Sequence, residues 1–186
     1  IVVLIDRSVS EAEPDYGVNP CEALCDHANR LLQDLARRKE GDYDVALVTY
    51  GTDSGGQPEV QSVFDAGFVN DADLVEAAVR VDEVEVEVFD GIGGLRNEVQ
   101  QHPIFIEPCP SDAGDVGAAF ATAAELVSQW QAAKGNDAPA VVLHMTRGAE
   151  APGSALDAPS ALLYHLIVTE AAHSCVVYPD STEKLA

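Results

Sequence analysis

Residues 1–10 read IVVLIDRSVS, and this stretch decides how the rest of the chain is interpreted. A short apolar run rich in β-branched residues ends at Asp6, and Ser8 and Ser10 follow at alternate positions. Such a run is typical of a strand that is buried on both faces. One acid and two hydroxyls directly after it predict a polar loop at the carboxyl end of that strand.

Two amphipathic helices and several apolar strands follow. Apolar residues that recur every three or four positions predict helices over 20–39 and 111–133. Continuous apolar runs predict strands over 42–51, 138–145, 160–169 and 174–179. Buried strands that alternate with helices predict an α/β fold with a doubly wound, mostly parallel sheet flanked by helices. Ligands of such folds gather at the carboxyl ends of the strands, where Asp6 lies.

The middle of the chain has a different pattern. The segment VDEVEVEVF (81–89) alternates between apolar and acidic residues, which predicts a half-buried strand at the edge of the sheet. The following DGIGGLRNEVQQ (90–101) predicts a turn and the return strand of an antiparallel hairpin. Because the chain shows no internal repeat or linker, we expect one domain over 1–186. We also expect this domain to be a fragment of a longer polypeptide.

Charge and cysteine content restrict the partners and the compartment. The chain carries 32 Asp and Glu against 10 Lys and Arg, a net charge of −22 at pH 7. Nucleic acids and anionic membranes are bound through Lys and Arg, so we expect neither as a partner. No stretch reaches the roughly 20 apolar residues that a membrane span needs. The four cysteines form no CxxC pair, which indicates buried thiols in a reducing, cytoplasmic setting.

The first motif and the segments after it form an ordered set. D-x-S-x-S ends the first strand, and a helix, DVALVTYG (44–51), DVGAAF (115–120) and AVVLHMTRG (140–148) follow. This order and spacing resemble the von Willebrand factor A domain. An N-x-L-L-x-x-L pattern from Asn29 and a D-G-x-G-G turn from Asp90 are similar to the bacterial intracellular members of that family.

The resemblance implies a metal site at the opening motif. In the family, D-x-S-x-S begins a metal-ion-dependent adhesion site, so Asp6, Ser8 and Ser10 are the implied ligands of Mg²⁺. This ion prefers near-octahedral oxygen coordination, which one carboxylate and two hydroxyls can help to supply. A purely structural interpretation is also open, in which the serines cap a hydrogen-bonded turn.

The other two metal loops of the family differ in this chain. Alignment of its second loop puts Gly114 at the position of a threonine ligand, with Asp112 and Asp115 nearby. The third loop normally carries an acid, but here the strand ends in Thr146 and Arg147. A cation at this point would repel Mg²⁺ or replace it, so the resemblance implies a degenerate site.

We therefore expect a non-enzymatic protein-interaction or scaffold module that binds at the carboxyl edge of the sheet without a strict metal requirement. Its candidate contact residues are Arg147, Thr146, Asp112 and Asp115. The resemblance implies protein partners such as a kinase, phosphatase or ATPase encoded with the chain, in a bacterial stress or defence system. The first alternative is a Mg²⁺-dependent module that coordinates a carboxylate of its partner.

The second alternative is a serine hydrolase. Ser8 or Ser10 would be its nucleophile, and His144, beside the third loop, would be its base. A single histidine inside an apolar strand is more typical of a packed, hydrogen-bonded core residue. The chain has no G-x-S-x-G or Walker motif, and GIGGLRN does not match a dinucleotide fingerprint.

Overall fold

The computed structural model describes residues 1–8, 20–38, 40–112, 114–135, 139–146, 161–168 and 175–179. Ser10 and Arg147, two of the predicted site residues, lie outside these ranges. The described strands are β1 (Val2–Asp6), β2 (Asp44–Thr52), β3 (Pro58–Ser62), β4 (Val69–Asn70), β5 (Arg80–Phe89), β6 (Leu95–Ile104), β7 (Ala140–Thr146), β8 (Ala161–Val168) and β9 (Cys175–Pro179). The described helices are α1 (Pro20–Arg38), a 3₁₀ helix (Asp71–Ala77) and α2 (Val116–Lys134).

Seven strands of the described chain form one sheet. Their order is β3-β2-β1-β7-β8-β9, and β4 pairs with β2 beside β3. The pairs β1–β2, β1–β7 and β7–β8 are parallel, whereas β3, β4 and β9 are antiparallel to their neighbours. The predicted α/β class with a mostly parallel sheet is confirmed, because the most apolar strands occupy the parallel centre.

Helices cover both faces of this sheet. Val3 and Ile5 of β1 point into a core with the buried face of α1. Val2 and Leu4 point to the other face and pack into a core that includes Phe120 of α2. The period of two along the strand thus divides β1 between two cores. None of the helices in the described part of the chain is long and apolar enough to cross a membrane.

Asn29 of α1 holds the segment that leads to the second predicted loop. Its Oδ1 accepts hydrogen bonds from the backbone N–H groups of Phe105 and Ile106, at 2.8 and 3.2 Å. Its Nδ2 donates to the carbonyl oxygen of Ile106 at 2.9 Å. Because Asn29 is buried, these bonds satisfy backbone groups that water cannot reach. They anchor the chain just before it enters the candidate site.

The second helix begins later than the sequence pattern predicts. We predicted a helical segment from Ser111, but α2 begins at Val116. The carboxylate of Asp115 caps it and accepts a hydrogen bond from the backbone N–H of Ala118 at 3.0 Å. Ser111 and Asp112 instead bond to Arg7 and Thr52, and these contacts hold the preceding residues outside the helix.

The acidic alternating segment forms a hairpin, as predicted, but it does not lie at the edge of the main sheet. β5 and β6 pair only with each other, as a separate two-stranded sheet. Residues 90–93 of its turn are exposed, and Ile92 at the tip is 93% exposed. Alternation predicted a strand with two different faces, but it could not indicate which neighbour the strand would pair with.

Candidate functional site

Asp6 lies at the topological switch point of the sheet, where the strand order reverses. From β1 the chain moves to β2 on one side, and it later returns to β7 on the other side of β1. The carboxyl ends of two such strands form the crevice in which open α/β sheets bind ligands. Asp6 ends β1 and Thr146 ends β7, so the two residues lie at this crevice.

Asp6 is held by hydrogen-bond donors from three parts of the chain. Its Oδ2 accepts from the Thr146 hydroxyl at 2.9 Å, and its Oδ1 accepts from the backbone N–H of Ser8 at 2.9 Å. The Tyr50 hydroxyl is also hydrogen-bonded to Asp6. Asp6 is only 8% exposed, so these donors take the place of water around its charge.

Two histidines extend this network beneath Asp6. The Tyr50 hydroxyl and Nε2 of His144 are 2.7 Å apart, and Nδ1 of His144 lies 3.0 Å from Nδ1 of His165. These contacts connect Tyr50, His144 and His165 in one buried row.

Burial and charge keep Tyr50 and His144 in their neutral forms. Burial, followed by the negative charge of Asp6, raises the pKa of Tyr50, which holds its proton. Burial, followed by the neighbouring His165, lowers the pKa of His144 to about 4, against the smaller opposing effect of Asp6. Phe120 of α2 covers the imidazole of His144 edge-on, with ring centroids 5.1 Å apart. His144 is thus a neutral, packed core residue, as the sequence predicted.

The loop before α2 lies against the ends of β1 and β2. Ser111 forms an isolated parallel bridge with Ser8, and its N–H donates to the Arg7 carbonyl at 3.1 Å. The Ser111 hydroxyl accepts from the backbone N–H of Thr52 at 3.2 Å. The N–H of Asp112 donates to the Thr52 hydroxyl at 3.1 Å. The first and second predicted loops therefore meet at one edge of the sheet.

A close contact between two glycines leaves no room for a side chain at Gly114, the position for which the sequence resemblance implies a threonine. A Cβ atom on Gly114 would lie 2.6 Å from the backbone nitrogen and Cα of Gly51. Real Cβ atoms do not approach backbone so closely, so any larger residue would displace the loop from β2. In this packing, position 114 cannot supply a hydroxyl ligand.

The structure separates the predicted contact residues into two groups. Asp112 and Asp115 are exposed on the loop before α2, although the carboxylate of Asp115 is also the cap of that helix. Thr146 is only 4% exposed and donates to Asp6, so it lies beneath the surface as a positioning residue. The structure brings Asp6, Ser8 and Thr146 together.

The described residues do not match the metal-ligand set of the family. Gly114 offers no side chain, and Thr146 or Arg147 stands where the resemblance implies an acid. Within the described ranges, no group of three or more His, Cys, Asp or Glu side chains is arranged to hold a metal ion. Asp6 brings a single negative charge, which the three donors already engage.

The sequence did not identify Tyr50 and His165 as parts of this site. In the structure, strand register places His144 opposite His165, and Asp6 opposite Tyr50. The two histidines belong to separate apolar runs whose pairing cannot be known before the strand order. A tyrosine within a buried run also reads as an ordinary core residue.

No protein-family model and no curated protein matches this chain.

Proposed function

We propose that this chain is a non-enzymatic protein-interaction module with a doubly wound fold of the von Willebrand factor A type. It binds a protein partner at the carboxyl edge of the sheet, and a metal ion is not strictly required. The observation that carries this proposal is the state of Asp6. Donors from Ser8, Thr146 and Tyr50 already satisfy the carboxylate that a metal would otherwise engage.

Two features support this edge as the binding surface. It lies at the topological switch point, where loops from separate strands converge on one crevice. Ser8 is partly exposed there, and Asp112 and Asp115 are exposed nearby. Arg147 follows Thr146 directly in the sequence and stays a predicted contact residue. The exposed acids at this edge favour a protein partner with complementary positive charge.

The arrangement around His144 favours binding over hydrolysis. A serine hydrolase needs a base within hydrogen-bond reach of its nucleophile. Both ring nitrogens of His144 are engaged, one with Tyr50 and one with His165, and the ring is 1% exposed. A buried base with these partners holds the core together and does not face a substrate. Labelling of Ser8 or Ser10 by a fluorophosphonate probe would contradict this interpretation.

A metal titration separates the proposal from its Mg²⁺-dependent alternative. The melting temperatures of the wild-type chain and Asp6→Ala are measured in Mg²⁺, in Mn²⁺ and in EDTA. We expect the melting temperature of the wild type to be the same in all three, because Asp6 is already satisfied by protein donors. An ion-dependent rise that Asp6→Ala abolishes would establish the alternative.

A binding assay tests the surface itself. The immobilised chain captures its partner, and capture is compared with and without chelator. We expect capture to persist in chelator and to fall in Arg147→Glu and in Asp112→Lys. Asp65→Lys is the matched control. Asp65 is exposed in the segment between β3 and β4, and β4 pairs with the amino end of β2, not with its carboxyl end. Equal loss in all three variants would contradict the assignment of the surface.

A further inference from the structure

The β5–β6 hairpin carries most of the large apolar side chains that the described fold leaves exposed. Nine such side chains are exposed among the described residues, and seven of them lie between Val79 and Val99. Near the tip, Phe89 and Leu95 are cross-strand neighbours that are 78% and 59% exposed. Exposed apolar side chains that gather in one place mark a surface for contact with another molecule. The proposed binding edge of the main sheet does not use this hairpin.

The outer edge of β5 offers unpaired backbone groups. Within the described part of the chain, β5 pairs only with β6. In an antiparallel pair, the N–H and C=O groups of alternate residues point away from the neighbouring strand. β5 is ten residues long, so this open edge is long enough to pair with an added strand from another chain.

The hairpin holds this edge in a fixed shape. In the turn, Oδ1 of Asp90 accepts hydrogen bonds from the backbone N–H groups of Ile92 and Gly94, at 2.9 and 2.8 Å. At the base, the side chain of Gln33 on α1 donates to the carbonyl oxygen of Pro103 at 3.0 Å. A strand that is fixed at both ends loses little conformational freedom on binding.

The glutamates Glu83, Glu85 and Glu87 form an uncompensated row of charge on one face of β5. All three are exposed, and no ion pair engages them among the described residues. Their cross-strand neighbours on β6 are uncharged, namely Gln101, Val99 and Asn97. The row therefore lacks the positive partners that would stabilise it across the sheet.

The two arginines of the hairpin do not supply these partners. Arg80 pairs with Asp82 at 3.0 Å, and Arg96 pairs with Glu98 at 3.2 Å. The positive charge that the glutamate row lacks must therefore come from outside the hairpin.

A row of valines occupies the opposite face of the same strand. Because successive side chains of a strand alternate, Val84, Val86 and Val88 lie opposite to the glutamates. Val84 is exposed, and the other two are half-buried. The segment EVEVEV (83–88) thus presents charge on one face and methyl groups on the other along one open edge.

We propose that β5 is a docking edge for an extended segment of a partner protein in which lysine or arginine alternates with aliphatic residues. The added strand pairs with the outward backbone groups of β5. Its cations lie opposite the glutamates of 83–88, and its aliphatic side chains lie opposite the valines. Both rows of β5 then gain favourable cross-strand neighbours. This inference is independent of the function proposed for the carboxyl edge of the main sheet.

The same charges disfavour a second copy of this chain as the occupant. Pairing of β5 with β5 in the equivalent register would place glutamates opposite glutamates, and like charges directly opposite are destabilising. The net charge of −22 adds a long-range repulsion between two copies. An acidic edge of this kind rejects its own copy and accepts a basic strand.

Binding of a synthetic strand tests the proposal. The peptide KVKVKVK, with blocked ends and a fluorescent label, is titrated with the full chain, and its anisotropy is measured. KKKKVVV has the same composition and charge without the alternation. We expect it to bind at least about tenfold more weakly, because three cross-strand charge pairs together contribute about that factor. Hydrogen exchange should slow at alternate amides of β5 when KVKVKVK is bound.

Charge reversal in the protein provides the matched variants. Glu85→Lys/Glu87→Lys should weaken binding of KVKVKVK by at least about tenfold and should prefer the peptide EVEVEVE. Asp65→Lys/Glu125→Lys makes the same change in net charge at exposed acids outside the hairpin, and it should keep the wild-type preference. Because all four positions are exposed, both variants should unfold in urea close to the wild type.

Several outcomes would overturn the inference. Failure of KVKVKVK to bind, or equal binding of KVKVKVK and KKKKVVV, would show that the edge does not recognise an alternating basic strand. Equal weakening in the two double variants would show that only net charge matters. A dimer in sedimentation whose β5 amides are protected without peptide would identify a second copy as the occupant.

Discussion

Removal of the Thr146 hydroxyl provides the most direct test of how Asp6 is held. Thr146→Val keeps the shape of the side chain and deletes the donor that lies 2.9 Å from Oδ2 of Asp6. Both residues are buried, so water cannot replace the lost bond. A hydrogen bond to a charged group contributes about 1.5–3 kcal/mol, and we expect the free energy of unfolding to fall by about 2 kcal/mol.

Urea unfolding measures this loss. Trp130 is the only tryptophan of the chain, and its indole N–H donates to Asp44 at 2.8 Å in the fold, so its fluorescence reports the transition. With an m value of about 2 kcal/mol per molar urea, the expected loss lowers the midpoint by about 1 M. Thr122→Val is the matched control, since its hydroxyl donates to the Ala118 carbonyl within the same helix. We expect that control to change stability by less than about 0.5 kcal/mol.

Two results would refute the reasoning. The first is a loss in Thr146→Val no larger than that of the Thr122→Val control. The second comes from a double-mutant cycle with Asp6→Ala, in which the effects of the two changes simply add. Additivity would mean that the two side chains are not energetically coupled, despite the 2.9 Å distance between their oxygens.

Two further predictions concern the row beneath Asp6 and the second loop. The pKa of His144 is lowered from 6.5 to about 4, chiefly by burial, so its neutral ring contributes fully above pH 6.5. That contribution, as much as about 3 kcal/mol, is lost as the pH falls toward 4. His144→Phe should remove this part of the pH dependence in urea unfolding, and an unchanged slope would contradict it. Gly114→Thr should cost about 2 kcal/mol through overpacking, without gain of Mg²⁺ affinity, because its Cβ would meet Gly51. Gly117→Ala is the control: it lies on the exposed first turn of α2 and should leave stability unchanged or raise it. A stable Gly114→Thr variant that binds Mg²⁺ would contradict the prediction.

Local patterns predicted most of the secondary structure. The apolar run before Asp6 forms β1, the predicted helix over 20–39 is α1, and the predicted strand over 160–169 is β8. These predictions hold because hydrophobic periodicity reports how each segment is buried, whatever its partner is. The start of α2 was misplaced by several residues, since the bonds of Ser111 and Asp112 to other strands outweigh helical spacing there.

The position of the hairpin could not be predicted from such local patterns. Alternating valine and glutamate predicted a strand with two different faces, and the turn after it predicted the return strand. Whether β5 joins the central sheet or pairs only with β6 depends on backbone partners far along the chain. No local pattern contains that information, and the structure keeps the hairpin separate.

By itself, the sequence determined the α/β class, the burial of the first strand, and the location of Asp6 and Ser8 at its carboxyl end. Only the tertiary structure decided what surrounds Asp6. Thr146 and Tyr50 meet it, and His144 and His165 follow, because strands far apart in sequence lie side by side in one register. Hydrogen bonds act over about 3 Å, so the partners of a buried carboxylate depend on this register and not on neighbouring sequence.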